Sequence, residues 1–150
     1  GYRNPTSKET LRMRKREDGS IRSDEHGAMD GAAVFNFSIT DVPLDIKNSV
    51  KRAQATVDEF DYFIFHQPNK FITDHFTRKL KIPRDKVIYS LQKFGNTASV
   101  SIPLTIVSEL NPQLNGTKRK ILMSGFGVGL SWGTLVTELC NCTICELLEV

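Results

Sequence analysis

Three short stretches set side chains capable of chemistry beside turns: His66-Gln67-Pro68-Asn69, Phe94-Gly95-Asn96-Thr97 and Gly125-Phe126-Gly127-Val128-Gly129. His66 ends an uninterrupted apolar run, Tyr62 to Phe65, that reads as a strand. Ligands of open α/β sheets bind at the carboxyl ends of strands, which is where His66 falls. A helix beginning near Asn69 would aim its positive N-terminus at the ring, disfavouring imidazolium and leaving a neutral donor of one hydrogen bond. Taken alone, a histidine at a strand end also suits a purely structural hydrogen bond, and Gly95-Asn96 also suits an ordinary turn. The glycine-rich loop superficially resembles a dinucleotide-binding fingerprint. That fingerprint must open a helix, whereas Leu130 to Leu135 continues as strand, so the dinucleotide reading is rejected.

Several elements must position these residues. The alternation of Phe35, Phe37 and Ile39 with Asn36, Ser38 and Thr40 predicts a strand over Val34–Thr40. Asp41 would then cap a helix carrying Ile46, Val50, Ala53 and Val57 on one face, with Pro43 in its first turn. Asp61–His66 is apolar enough for a strand covered on both faces. Asn69 caps a helix whose Phe71, Ile72, His75, Phe76, Lys79 and Leu80 share a side. Beyond Ile82-Pro83, Lys86–Ser90 predicts a short strand and Ala98–Leu110 a helix stopped by Asn111-Pro112. Lys120–Ser124 and Ser131–Leu139 would close the sheet. The order βαβαβαββ is an α/β fold, a mixed sheet covered by helices, over residues 29–150. Residues 1–28 have no apolar period and read as an irregular charged arm or interdomain segment.

The chain has 150 residues, 39% of them hydrophobic, which suffices for one core. Its net charge of +3 is too mild for a phosphate-tracking surface, so nucleic acid is not expected as a partner. No apolar run is long enough to span a membrane, and the polar N-terminal stretch does not read as a signal peptide, so a cytoplasmic location is expected. Cys140, Cys142 and Cys145 lie together near the end of the sequence without paired zinc spacing, and no metal site is expected.

In this order and spacing, HQPN, GNTASVSIP and SGFGVGLSWG resemble the signature segments of the β-ketoacyl-acyl-carrier-protein synthase III family, of the thiolase superfamily. Met29-Asp30-Gly31 and Ile82-Pro83-Arg84-Asp85-Lys86-Val87 fit the same family. The likeness runs from about Met29 to Leu139, and Gly1 to Pro5 is similar to the family's loop between halves. It implies a thiolase-like half-domain, the C-terminal one, and a decarboxylative Claisen condensation. Such enzymes load an acyl group on a cysteine and decarboxylate a malonyl thioester carried by acyl carrier protein.

His66 and Asn96 match the family's two neutral donors to the thioester oxygen, which suit an oxygen that gains negative charge. Asn69, Phe126, Gly127 and Val128 match substrate-binding positions, the backbone near Gly127 and Val128 facing the acyl-cysteine carbonyl. Phe126 fits plain core packing equally well. Lys70, Arg78 and Lys79 match basic positions that meet the carrier protein or coenzyme A, although each one singly reads as a solvated charge. No cofactor is implied; acyl-CoA and malonyl carrier protein are substrates. The nucleophilic cysteine belongs to the family's N-terminal half and matches none of the three here. The expected partners are that half, acyl carrier protein, acyl-CoA and a second copy in a homo-oligomer. The alternative is a noncatalytic module of the same fold that binds acyl carriers or a partner.

Overall fold

The computed structural model describes residues 5–26 and 29–148. Gly1 to Asn4, in the segment likened to an interdomain loop, and the suggested boundary at residue 28 lie outside the described residues. Residues of the arm form a two-stranded antiparallel hairpin, β1 (Arg14–Lys15) and β2 (Ile21–Arg22). Its charges are paired as well as solvated: Arg14 and Arg16 both meet Asp24.

Helix α1 spans Gly31–Arg52, so the strand expected over Val34–Thr40 is in fact its first half. Asp30 caps it in place of Asp41, its Oδ1 accepting from the Ala33 amide at 2.9 Å. The alternation of Phe35, Phe37 and Ile39 coexists with a four-residue spacing through Val34, Ser38, Val42, Ile46 and Val50, and the helical period prevails. Phe37, Ser38, Val42, Ile46 and Val50 are buried while Phe35 and Asn36 are exposed. Pro43 therefore sits mid-helix, where it has no N–H to give the Ile39 carbonyl. Lys79 fills the gap: its Nζ donates to the Ile39 carbonyl at 2.7 Å.

The main sheet has the order β3-β4-β5, with β3 (Tyr62–Phe65) parallel to β4 (Lys118–Gly127) and β4 antiparallel to β5 (Ser131–Cys140). It is the expected mixed sheet, and β3 and β4 are covered on both faces, whereas β5 is largely exposed. Phe63, Phe65, Leu122 and Phe126 pack with α1 and with α2 (Lys70–Lys79). Ile64 and Ile121 pack on the other side with Leu110, Leu114, Ile102 and Ile106. The apolar run ahead of His66 is thus buried on both faces, as its sequence predicts. The buried side of α2 is Ile72, Thr73, Phe76 and Thr77; Phe71 is exposed and stacks on Phe35 with ring centroids 6.2 Å apart.

Two further elements differ from expectation. Lys86–Ser90 contributes only one parallel bridge, Val87 to Phe63. Pro83 starts a 3-10 turn, Arg84–Lys86, which uses the Lys86 and Val87 amides, while the Ser90 amide is taken by a side chain, so little is left for a ladder. The helix expected over Ala98–Leu110 is a 3-10 turn, Ala98–Val100, running into α4 (Ser101–Glu109). A four-residue α3 (Leu91–Phe94) precedes it. Asn111-Pro112 does not simply stop the chain's helix: it opens another turn, α5 (Asn111–Leu114). Among the described residues, no helix is long and apolar enough to cross a membrane.

The coupling of Pro43 to Lys79 is measurable. Lys79→Met should cost about 1 kcal/mol in chemical denaturation, because it orphans the Ile39 carbonyl. In a Pro43→Ala background, where the helix supplies its own N–H, the same substitution should cost close to nothing.

Candidate active site

His66 directly follows β3, and its amide extends the ladder by donating to the Ser124 carbonyl at 2.8 Å. The ring is half-buried. Its edge meets Phe126, with centroids 5.2 Å apart at 75°, and Nδ1 lies 2.8 Å from Ser101 Oγ at the start of α4. Burial lowers the imidazole pKa below its ordinary value of 6.5, against a smaller upward pull from a hydrogen bond to the Ala98 backbone. The ring is therefore neutral at pH 7, with Ser101 Oγ at Nδ1 and the Ala98 backbone as its hydrogen-bond partners.

Asn96 stands on the loop between α3 and α4. Gly95, at φ 70°, turns the chain there in the left-handed region that glycine adopts without strain. The exposed Asn96 side chain folds back so that Oδ1 accepts from the Ala98 amide at 3.0 Å, which leaves the Nδ2 amide without a described partner. Ala98 itself holds φ 51°, an uncommon conformation for a residue with a Cβ. The Ala98 carbonyl accepts from Ser101 Oγ at 2.9 Å. His66 and Asn96 are thus brought onto one short stretch, Ala98–Ser101, from elements far apart in sequence.

What holds that stretch in place is Gln67, whose role the sequence reading missed. The side chain is 1% exposed and fully used. Nε2 donates to the Ile88 carbonyl at 3.0 Å and to Thr105 Oγ1 at 3.2 Å, and Oε1 accepts from the Ser90 and Leu91 amides, both at 3.0 Å. Ser90 Oγ and Thr105 Oγ1 are 2.6 Å apart, and Thr105 also donates to the Ser101 carbonyl at 2.7 Å. A signal existed in the sequence. Ser101 and Thr105 fall four apart on an apolar helix, and a glutamine follows directly on a strand buried on both faces.

The other expected positions are distributed unevenly. Phe126, 9% exposed, touches His66 and also Phe37 and Phe76, so it is a core residue that buttresses the imidazole. Gly127 ends β4 beside it, and Val128 is exposed at the tip of the β4–β5 hairpin. The glycine-rich loop is a hairpin and opens no helix. Asn69 caps α2, its Oδ1 accepting from Ile72 N at 3.0 Å. Lys70 is tied to Asp74 at 2.9 Å and lies 5.0 Å from the centre of the Tyr89 ring, and Lys79 caps Ile39. Arg78 is exposed and makes no described ion pair. It lies about 12 Å from Lys70 along α2, so the three cations form no single cluster. Cys140 pairs with Lys118, six residues along β4 from the Ser124 that receives His66, roughly 20 Å away. Among the described residues, no group of three His, Cys, Asp or Glu could hold a metal ion.

The family profile described as 3-oxoacyl-(acyl-carrier-protein) synthase III C terminal matches residues 50–139, more than half of the chain. The chain belongs to this family. It is 44% identical over 115 residues to the β-ketoacyl-(acyl-carrier-protein) synthase III of Streptococcus gordonii, and 40% identical over 114 residues to that of Streptococcus pyogenes. Each alignment covers 74% of this chain and 35% of the relative, so the chain spans about a third of the length of these synthases. Among solved structures, the 3-oxoacyl-(acyl-carrier-protein) synthase of Burkholderia xenovorans superimposes with a TM-score of 0.75 at 35% identity, over 79% of this chain and 34% of that one. The priming β-ketosynthase of a polyketide biosynthetic pathway gives 0.66 at 31%, over 75% and 34%. The thiolase-like α/β fold and the family likeness read from the three motifs both hold.

Two measurements probe this site. Gln67→Ala would orphan two amides and a carbonyl in the interior and should destabilise the protein by about 2–4 kcal/mol in chemical denaturation. His66 gives a pH signature. Its folded pKa is lowered, so the unfolded chain takes up a proton first. Stability should be flat above pH 6.5 and fall as pH drops from 6.5 toward the folded value. A His66→Gln variant should lose that component of the slope.

Proposed function

We propose that the chain is the decarboxylating part of a condensing acyltransferase, which joins an acyl thioester to a malonyl thioester on acyl carrier protein in fatty-acid or related acyl biosynthesis. The malonyl carbon–carbon bond breaks, carbon dioxide leaves, and its electron pair becomes an enolate whose charge rests on the thioester oxygen. His66 Nε2–H and an Asn96 Nδ2–H donate to that oxygen. The enolate carbon then attacks the acyl-thioester carbonyl, a new carbon–carbon bond forms, and the cysteine thiolate departs. Backbone near Gly127 and Val128 faces the acyl carbonyl, and Asn69 and Phe126 complete the substrate surroundings. As written, the condensation calls for no cofactor.

The observation carrying this reading is the pair of neutral groups: an imidazole held at Nδ1 by Ser101, and a carboxamide held at Oδ1 whose Nδ2 has no partner among the described residues, both attached to Ala98–Ser101. Neutral donors already in place cost little reorganisation when negative charge develops, the condition under which such groups lower a barrier most. The nucleophilic cysteine is supplied by residues outside this chain. Exposed Trp132, Leu135 and Val100 offer apolar surface to that other half or to a second copy in a homo-oligomer. Acyl-CoA loads the cysteine, and Arg78, which is exposed and has no ion pair among the described residues, is the first candidate for meeting an acidic carrier protein.

The distance of Cys140 from His66 favours one alternative, a module that keeps the fold and binds acyl carriers without condensing them. Turnover separates the two. In the full-length protein, His66→Ala and Asn96→Ala should each slow malonyl-thioester decarboxylation by roughly 10²–10³-fold. Wild-type rates in both variants would overturn the catalytic reading.

A further inference from the structure

Between the C-terminal parts of α1 and α2, over Phe63 of β3, lies a cavity of about 260 Å³. Its floor is apolar and buried: Ile46, Val50, Phe63 and Ile82 are each 9% exposed or less. The space exceeds the roughly 150 Å³ apolar cavity that holds a benzene ring and approaches the roughly 300 Å³ at which small-molecule pockets begin. Lys47, Lys79 and Lys81 line the same cavity and are exposed, so their charges stand at its mouth, and no acidic side chain lines it. Lys79 and Lys81 complement the negative end of α2, and Lys79 gives one N–H to the Ile39 carbonyl, which leaves two of its donors over. Lys47 has no such reason: it precedes the last turn of α1 and has no ion pair among the described residues. Lys81 is held at φ 54°, just past α2, where glycine is usual because a Cβ is crowded in the left-handed region. A lysine there keeps its charge at the cavity at a cost in backbone strain.

We propose that this cavity binds a fatty carboxylate of medium length, its chain on Ile46, Val50, Phe63 and Ile82 and its carboxylate among Lys47, Lys79 and Lys81. The size follows from the space: at roughly 30 Å³ for each water-sized group, it holds a chain of about eight carbons. The head follows from the charges. Three ammonium groups match the lone pairs of one carboxylate, and the partial negative ends of α1 and α2 weigh against a dianion such as a phosphate monoester. The site lies at the far end of α2 from His66, ten residues or about 15 Å beyond the Asn69 cap. It stands independently of the oxyanion reading.

The test titrates the full-length protein with sodium octanoate by calorimetry, below the concentration at which octanoate forms micelles. One molecule per chain should bind with a Kd of about 0.1–1 mM, the range open to a ligand of about ten non-hydrogen atoms. Octanol, with the chain but no charge, and butyrate, with the charge but little chain, should each bind about tenfold more weakly or worse. The double variant Lys47→Gln, Lys81→Gly should weaken octanoate about tenfold. Its unfolding temperature should not fall, because glycine relieves position 81. His66→Ala should leave octanoate binding unchanged, which separates this cavity from the candidate active site. Methyl resonances of Ile46, Val50 and Ile82 should shift on titration, and those of Ile102, beside Gly125, should not. Absence of saturable binding, including the case in which another part of the full-length protein covers the cavity, would overturn the proposal. Equal binding of octanol, full binding by the double variant, or methyl shifts gathered at Ile102 would do the same. Loss of octanoate binding in His66→Ala would assign the ligand to the active site and remove the cavity from consideration.

Discussion

The buried carboxamide of Gln67 is the constraint on which the rest of the site depends. A primary amide has two N–H donors and two acceptor lone pairs on its oxygen, and all four are used here inside the protein. Partial use would be costly, since an unpaired polar group in the interior loses its water without compensation. Full use ties three separate pieces together: the end of β3, the segment Ile88–Leu91, and α4 through Thr105. His66 is the residue before Gln67, and the loop carrying Asn96 runs between the second and third of those pieces. The amide therefore fixes the placement of His66 relative to the loop that carries Asn96.

With that frame in place, the electrostatics of the site are set by neutral groups. Burial and the Ala98 backbone are what move the His66 pKa; among the described residues no charged side chain contributes to it. The ten-residue α2 begins just beyond, capped by Asn69, with its positive end directed toward the His66 turn. Such surroundings leave a resting site uncharged and receptive to an anion. In the proposed reaction, a lysine or a carboxylate in their place would either bind the malonyl carboxylate too well or repel it, and neither would track the charge as it moves to the thioester oxygen.

Much of this frame was legible in the sequence, and the exceptions have physical causes. Tyr62–Phe65 reads correctly because a strand covered on both faces needs side chains of one kind on both. Asn69 reads correctly because caps are local. Val34–Thr40 misleads because Phe35 is apolar and exposed; it stacks on exposed Phe71, so two aromatics outside the core imitate the period of a strand. Lys86–Ser90 reads as a strand by composition and is denied one by competition for its backbone amides, a tertiary effect that composition cannot register. Gln67 and Ser101 were passed over for a related reason. Their importance lies in partners 21 to 38 residues away in the case of Gln67, and 35 in the case of Ser101.

The same geometry implies a division of labour in the proposed reaction. The described part of this chain supplies two donors, a buttressing phenylalanine and a glycine hairpin, and it places its thiols at the opposite end of the sheet. A donor pair must be rigid before charge appears, whereas a nucleophile must approach a carbonyl that changes from planar to tetrahedral. Setting the donors on the interlocked β3–α4 unit, and the nucleophile on a body that packs against it, lets each be held by its own core. The gap between the two bodies then becomes the place where the thioester lies. On this view the hairpin tip at Val128 and the loop at Asn96, both exposed here, are exposed because they form one wall of a cleft whose other wall is a different part of the protein.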